Sequence, residues 1–209
     1  MLGIFTTHLG WSLEDKAFEP VKHPLQDQRL IAIQKALASH PIVRGNFQQD
    51  LKIPGLKPGK KTTGHFVFSQ GKGIIWQVQQ PKPLTLTITA QGVRQLQDDH
   101  SLKPLDRSSK TFSPAFSEGF LTLFRGDFGA LEKRFDFSLQ SQNTRWQLAL
   151  EPQSKSVRKN LARMVLMGSD HLDGIHLFSA HHAETQISFS EVDLSQTPLT
   201  AEEALLLDS

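Results

Sequence analysis

The chain has 209 residues, enough for one large β-rich domain or two very small ones. Lys plus Arg is 23 against 21 Asp plus Glu, a formal net charge of +2, without the concentrated basic footprint of a nucleic-acid binder. The absence of cysteine excludes disulfides, a CxxC redox centre, a thiolate nucleophile and a cysteine zinc site. Aromatic usage is skewed to 14 Phe and 3 Trp with no Tyr, rings suited to filling or lining an apolar interior. No stretch approaches the ~18 consecutive apolar residues of a transmembrane helix.

Met1 to Trp11 is mildly apolar but lacks a basic leader and an Ala-x-Ala-like end, so it does not read as a signal peptide as written. Residues 1–26, with Pro20 and Pro24, are expected to be an N-terminal arm, and 27–209 a single domain. Asp27 can cap a helix from Gln28 to about Ser39, with Leu30, Ile33 and Leu37 on one stripe. From Pro41 the hydrophobic period shifts towards 2. Val43, Phe47, Leu51 and Ile53 share parity, Pro54–Lys61 reads as a turn or loop, and Gly64–Gln70 places Phe66 and Phe68 on one strand face. Ile74–Gln79 carries Trp76 and Val78. The clearest strand is Leu84–Ala90, whose Leu84, Leu86 and Ile88 oppose a wetter face of Thr85, Thr87 and Thr89.

After a strand at Val93–Gln97 and a polar loop with room for a short strand within DDHSLKPLDRSSK, Ser113-Pro114 starts a helix bearing Phe116, Phe120, Leu123 and Phe124 and ending at Gly126. Strands at 134–140, 145–151, 161–167, 174–179 and 184–192 follow at meander spacing, joined by SDHLDG and SAHHAE turns. Thr200 and Glu203 make a capping box before a last apolar helical turn. The fold class expected is mainly β with helices, in one large antiparallel sheet. A sheet of that size is expected to curl strongly and to need the helices at 28–39 and 114–125 as cover.

Motifs for bond-making chemistry are sparse. His171, His176, His181 and His182 crowd one stretch, but their spacing suits exposed hairpins better than a metal site. No GxSxG, P-loop or GxGxxG occurs, and Gly71-Lys72-Gly73 reads as a turn. No metal, cofactor or catalytic group is therefore expected. Two basic loops, at Lys57, Lys60, Lys61 and at Lys155, Arg158, Lys159, read as solvated, with attraction to anionic headgroups as the second reading.

Several segments, taken in order over residues 27–195, together resemble the LolA family, the periplasmic carriers of outer-membrane lipoproteins. They are the Phe47-Gln48-Gln49 strand after the first helix, Gly64-x-Phe66-x-Phe68, Ile75-Trp76 ahead of Pro81, and the Ser113-Pro114 helix through Leu123. The closing pattern runs from Asp173-Gly174 through Thr185, Ile187, Phe189, Ser190 and Val192. The resemblance implies an unclosed, strongly curved antiparallel β-barrel with helices over an apolar interior that receives acyl chains. It also implies a periplasmic location, a monomeric state, an acylated lipoprotein or lipid as cargo, and exchange with an inner-membrane release complex and an outer-membrane receptor. Its ligand-binding wall would be Phe47, Phe66, Phe68, Trp76, Leu84, Leu86 and Ile88, covered by Phe116, Phe120 and Phe124. The same residues also fit a constitutive core. One departure stands out: where the carriers place Lys-Arg-Pro before the tryptophan strand, this chain has Ser69-Gln70-Gly71, so the lid arginine is missing.

Two other readings stay open at this point. An enzyme could use the same sheet as an apolar pocket, with Arg94, Arg145 and Glu151 as the in-strand polar groups to inspect. A lipid-sensing scaffold could instead bind a partner protein along a sheet edge.

Overall fold

The computed structural model of the protein describes residues 17–105 and 121–208. Helix α1 (Gln28–Ala38) starts where Asp27 accepts the backbone N–H groups of Arg29 (2.9 Å) and Leu30 (3.4 Å), and it buries Leu30, Ile33 and Leu37. Twelve strands then form one antiparallel sheet: β1 (Glu19–Val21), β2 (Ile42–Ile53), β3 (Leu56–Ser69), β4 (Gly73–Gln80), β5 (Leu84–Thr89), β6 (Gly92–Leu96), β7 (Leu102–Pro104), β8 (Phe135–Gln142), β9 (Arg145–Pro152), β10 (Leu161–Gly168), β11 (Leu172–Ser179) and β12 (Glu184–Asp193). Two meanders, β2 to β7 and β8 to β12, are joined by the pairing of β12 with β2, in which Phe189 opposes Phe47. The lead-in before α1 supplies β1, which pairs with β8 at one edge.

The sequence expectation of a strongly curved barrel is corrected by this topology. The ladder is a single open sheet whose edges, β1 and β7, pair only with β8 and β6, and it is not strongly curled. Both faces carry apolar packing, so there is no single interior for the sheet to roll around. On one face lies the main cluster, which includes Phe47, Phe66, Trp76, Leu86, Leu148, Leu166 and Ile187 with Leu30, Ile33 and Leu37 of α1. On the other, Val67 and Ile75 pack against Leu206 and Leu207 of the C-terminal helix (Ala201–Asp208).

That second packing also corrects the reading of Leu84–Ala90. Thr87 and Thr89 are 0% and 3% exposed, because the face expected to be wet lies in the part of the sheet that the C-terminal helix packs against. Pro54–Lys61 likewise is not a loose loop. Gly55, at φ +79°, makes the turn, and Leu56, Lys60 and Lys61 pair with Ile53, Leu51 and Asp50. At Gly59 a Cβ would sit 2.7 Å from the Leu51 carbonyl oxygen, so glycine is needed for the close approach.

The helix expected at 114–125 is described only from residue 121. Residues 121–124 are helical and stop before Gly126 at φ +63°, while Phe116 and Phe120 lie outside the described residues. A further short helix, α2 (Phe128–Glu132), escaped the sequence reading; Asp127 caps it by accepting the Ala130 N–H at 3.0 Å, and it buries Phe128 and Leu131.

An apolar face beneath a helical cover

The described members of the expected wall lie in or against one cluster. Phe47, Phe66, Phe68, Trp76, Leu86 and Ile88 are each at most 2% exposed, Phe124 is buried above them, and half-buried Leu84 packs at the margin. The rings contact one another directly. Phe47 stacks on Trp76 with centroids 3.7 Å apart, and Phe124 meets Phe66 at 5.7 Å and Phe68 at 5.3 Å. Phe189 completes the group, 5.0 Å from Phe66 and 5.6 Å from Phe124. It was absent from the expected wall. Its parity with Ile187 on β12 was the available signal, but which sheet face β12 turns to α1 depends on its pairing with β2.

Two glycines make this ring packing feasible. Gly64 lies opposite Phe47 and Gly45 opposite Phe66 in the β2–β3 ladder. A Cβ on Gly64 would stand 2.9 Å from Phe47 Cε1, and one on Gly45 would stand 2.9 Å from Phe66 Cε1. Each ring thus crosses a neighbouring strand where no side chain blocks it.

Among the described residues, α1 and the 121–124 turn pack directly on this face. Between α1, the 121–124 turn and the β10–β11 hairpin, a cavity of about 20 Å³ remains, lined by Leu37, His40, Val43, Phe66, Phe124, His171 and Leu172. That is room for about one water molecule and not for an acyl chain. At its rim His171 is clamped between carboxylates: Nε2 lies 2.9 Å from Asp173 and Nδ1 2.6 Å from Asp170. With both ring nitrogens facing acceptors, the imidazolium is favoured, and its pKa is raised above the ordinary histidine value, chiefly by the bond to Asp173. His40 Nδ1, also at the cavity, is buried with no hydrogen-bond partner among the described residues.

The polar groups singled out for an enzyme reading lie elsewhere. Arg145 and Glu151 alternate with Trp146, Leu148 and Leu150 on β9, and Arg94 opposes Thr87, so all three belong to the sheet face away from the rings. His176 faces Glu184 across β11–β12 at 3.3 Å and lies against the Phe178 ring. Among the described residues no group of three His, Asp or Glu side chains is placed to hold a metal ion, and no helix is long and apolar enough to cross a membrane.

The family model of the outer membrane lipoprotein carrier protein LolA matches residues 41–202. The chain belongs to the LolA family. Among solved structures, a LolA superfamily protein from Nitrosomonas europaea is similar at 11% identity over 83% of this chain and 96% of its own, with a TM-score of 0.46. A DUF1329 family protein from Desulfovibrio piger is similar at 12% identity over 90% of this chain and 97% of its own, with a TM-score of 0.49. MucB is similar at 13% identity over 84% of this chain and 62% of its own, with a TM-score of 0.47. No curated protein matches.

At Ser69-Gln70-Gly71, the Gln70 backbone N–H donates to the Pro41 carbonyl at 2.7 Å, just beyond α1. That bond continues the β2–β3 ladder one residue past the Ile42–Ser69 pair. The start of α1 is tied by Arg29, which reaches Glu19 of β1 at 2.7 Å and Asp27 at 2.8 Å. Beyond that tie, α1 is held by apolar contacts from Leu30, Ile33 and Leu37.

Proposed function

We propose that this LolA-family chain is a periplasmic carrier or chaperone for acylated cargo, a lipoprotein or a related lipid. The cargo's acyl chain lodges between the aromatic face and the cover of α1 and residues 121–124. The observation that carries the reading is the continuous apolar face of Phe47, Phe66, Phe68, Trp76 and Phe189 under a cover of α1 and Phe124, in a family of lipoprotein carriers. Each CH₂ moved from water onto that face is worth about 0.8 kcal/mol, so one acyl chain supplies enough to displace the cover's own contacts. The small residual cavity makes entry a matter of lifting the cover, and cargo then replaces Leu30, Ile33 and Leu37 against the rings. Receipt from an inner-membrane release complex and delivery to an outer-membrane receptor complete the proposed cycle.

The test is native mass spectrometry of protein purified from a Gram-negative periplasm, with solvent extraction of what is bound. A retained acylated species that competes with a fluorescent fatty acid, and whose retention is lost in folded Phe124→Glu protein, is the expected result. A clean apo mass together with no fatty-acid binding would sink the proposal.

A further inference from the structure

The two basic loops that stand about 100 residues apart in sequence come to the same end of the sheet. The register shows it stepwise. Leu161 at the start of β10 opposes Ser179 at the end of β11, Phe178 opposes Glu184 at the start of β12, and Glu184 opposes Lys52 near the end of β2. The β9–β10 connection, the β11–β12 turn and the β2–β3 hairpin therefore project side by side, and Ala180 N–H donates to Asn160 O between the first two. From β10 to β2 is three strand spacings, about 14 Å.

Each of the two outer loops combines lysines with uncovered apolar side chains. The hairpin tip exposes Lys57, Lys60 and Lys61, and its terminal cross-strand pair, Ile53 and Leu56, is 38% and 44% exposed. The β9–β10 connection holds the short helix α3 (Lys155–Arg158), which exposes Lys155 and Lys159 beside Val157, itself 41% exposed. Among the described residues, none of these lysines is engaged in an ion pair. The other end of the sheet is mixed in charge: Asp170 and Asp173 lie in or beside the β10–β11 turn and Glu191 and Asp193 end β12, while Arg44 and Lys72 pair there with Glu203 and Asp208 of the C-terminal helix.

Lysines on an unpaired strand edge can serve simply to block edge-to-edge association, and β3 has no partner on its β4 side before Thr63. That role accounts for neither the exposed Ile53–Leu56 pair nor the second cluster around Val157. Cations surrounding exposed aliphatic tips are the pattern that fits a negatively charged bilayer interface.

We propose that this end of the sheet docks on an anionic bilayer surface, with the lysines at the headgroups and Ile53, Leu56 and Val157 entering the headgroup–acyl boundary. The proposal stands on these two loops and does not depend on what, if anything, the aromatic face carries. The cysteine-free chain offers a direct test. Leu56→Cys creates a single site for an environment-sensitive fluorophore, added to the full chain and mixed with vesicles of phosphatidylethanolamine and phosphatidylglycerol or of phosphatidylcholine alone. The expected result is a blue shift and co-flotation only with the phosphatidylglycerol vesicles, fading as salt is raised.

Each lysine at such a surface is worth roughly five-fold in partitioning. Lys57→Glu with Lys60→Glu should therefore weaken vesicle binding about 25-fold or more, and Lys155→Glu with Lys159→Glu should act likewise. Lys35→Glu with Arg145→Glu, the same change in net charge placed elsewhere, should change it less than about two-fold. No binding to phosphatidylglycerol vesicles at low salt would overturn the proposal. So would equal losses in all the double variants, or binding that leaves the Leu56 probe unshifted.

Discussion

Arg44 near the start of β2 and Glu203 in the C-terminal helix form a two-point ion pair, with Nη2 to Oε2 at 2.7 Å and Nε to Oε1 at 3.1 Å. The same guanidinium donates to the carbonyls of Thr197 (2.9 Å) and Pro198 (3.0 Å), and Glu203 also accepts the Thr200 N–H, closing the capping box. One arginine thus fixes the C-terminal helix to the sheet. Arg44→Ala should cost about 1–3 kcal/mol at neutral pH, read by urea denaturation. The Arg44 bond holds the Glu203 carboxyl below its usual range. Its contribution is present above the unfolded-state value of about 4.3 and is lost as pH falls through the lower folded value. The gap between wild type and Arg44→Ala should close over that acid range, and a gap that persists unchanged would show that the pair is not its source.

Gly64→Ala should be far worse than an ordinary strand substitution. Its Cβ would fall 1.9 Å from the Gln77 carbonyl oxygen and 2.9 Å from the Phe47 ring, so both β4 and the Phe47–Trp76 stack must move. A loss of about 1–3 kcal/mol or more in chemical denaturation is expected, with a changed near-ultraviolet tryptophan signal. Wild-type stability in this variant would mean that the rings do not cross the ladder at the glycine.

His171 should titrate above the ordinary histidine value of about 6.5, because Asp173 and Asp170 hold its protonated form. For a raised pKa the stabilisation is complete below the unfolded value and is lost as pH rises through the folded one. Stability of the β10–β11 hairpin should therefore decline as pH rises above about 6.5 and through the raised folded-state value. Imidazole NMR shifts would follow it, and Asp173→Asn should move the midpoint back down; an unmoved midpoint would remove Asp173 as the cause.

Leu37→Ala tests whether the cover is the route of entry. Leu37 lines the small cavity and is 7% exposed, so truncation should cost about 2–5 kcal/mol. If cargo passes beneath α1, the variant should also take up a fluorescent fatty acid faster in stopped-flow mixing. Reduced stability with an unchanged uptake rate would mean that α1 does not gate the face.

The elements governed by near neighbours were legible along the chain. The Asp27 cap and the Leu30, Ile33, Leu37 stripe define α1, because a helix closes its own hydrogen bonds within four residues. Alternation marks β5, and the SDHLDG and SAHHAE turns bring β10, β11 and β12 together as local hairpins. Thr200 and Glu203 form their reciprocal cap as spaced. The wall residues could be gathered onto one face because strand parity alone assigns Phe66 and Phe68, or Leu84, Leu86 and Ile88, to a common side.

What parity leaves undetermined is what lies against each side. Thr85, Thr87 and Thr89 read as a solvated row, and the arrival of Leu206 and Leu207 across the sheet buried Thr87 and Thr89. The same two-sided packing kept the sheet open and not strongly curled, where one apolar face alone would have favoured rolling it up. Long-range register also decided that Phe189 joins Phe66, that Arg44 meets Glu203, and that two lysine loops share one end of the sheet. Caps and the strands that alternate or pair through short turns were thus determined by the sequence itself, through interactions spanning a few residues, whereas β1 and the first half of β3 took their strand form from their partners β8 and β2. The occupant of each sheet face and the meeting of the two lysine loops at one end arise only when distant strands pair, because one ladder register positions every side chain along it at once.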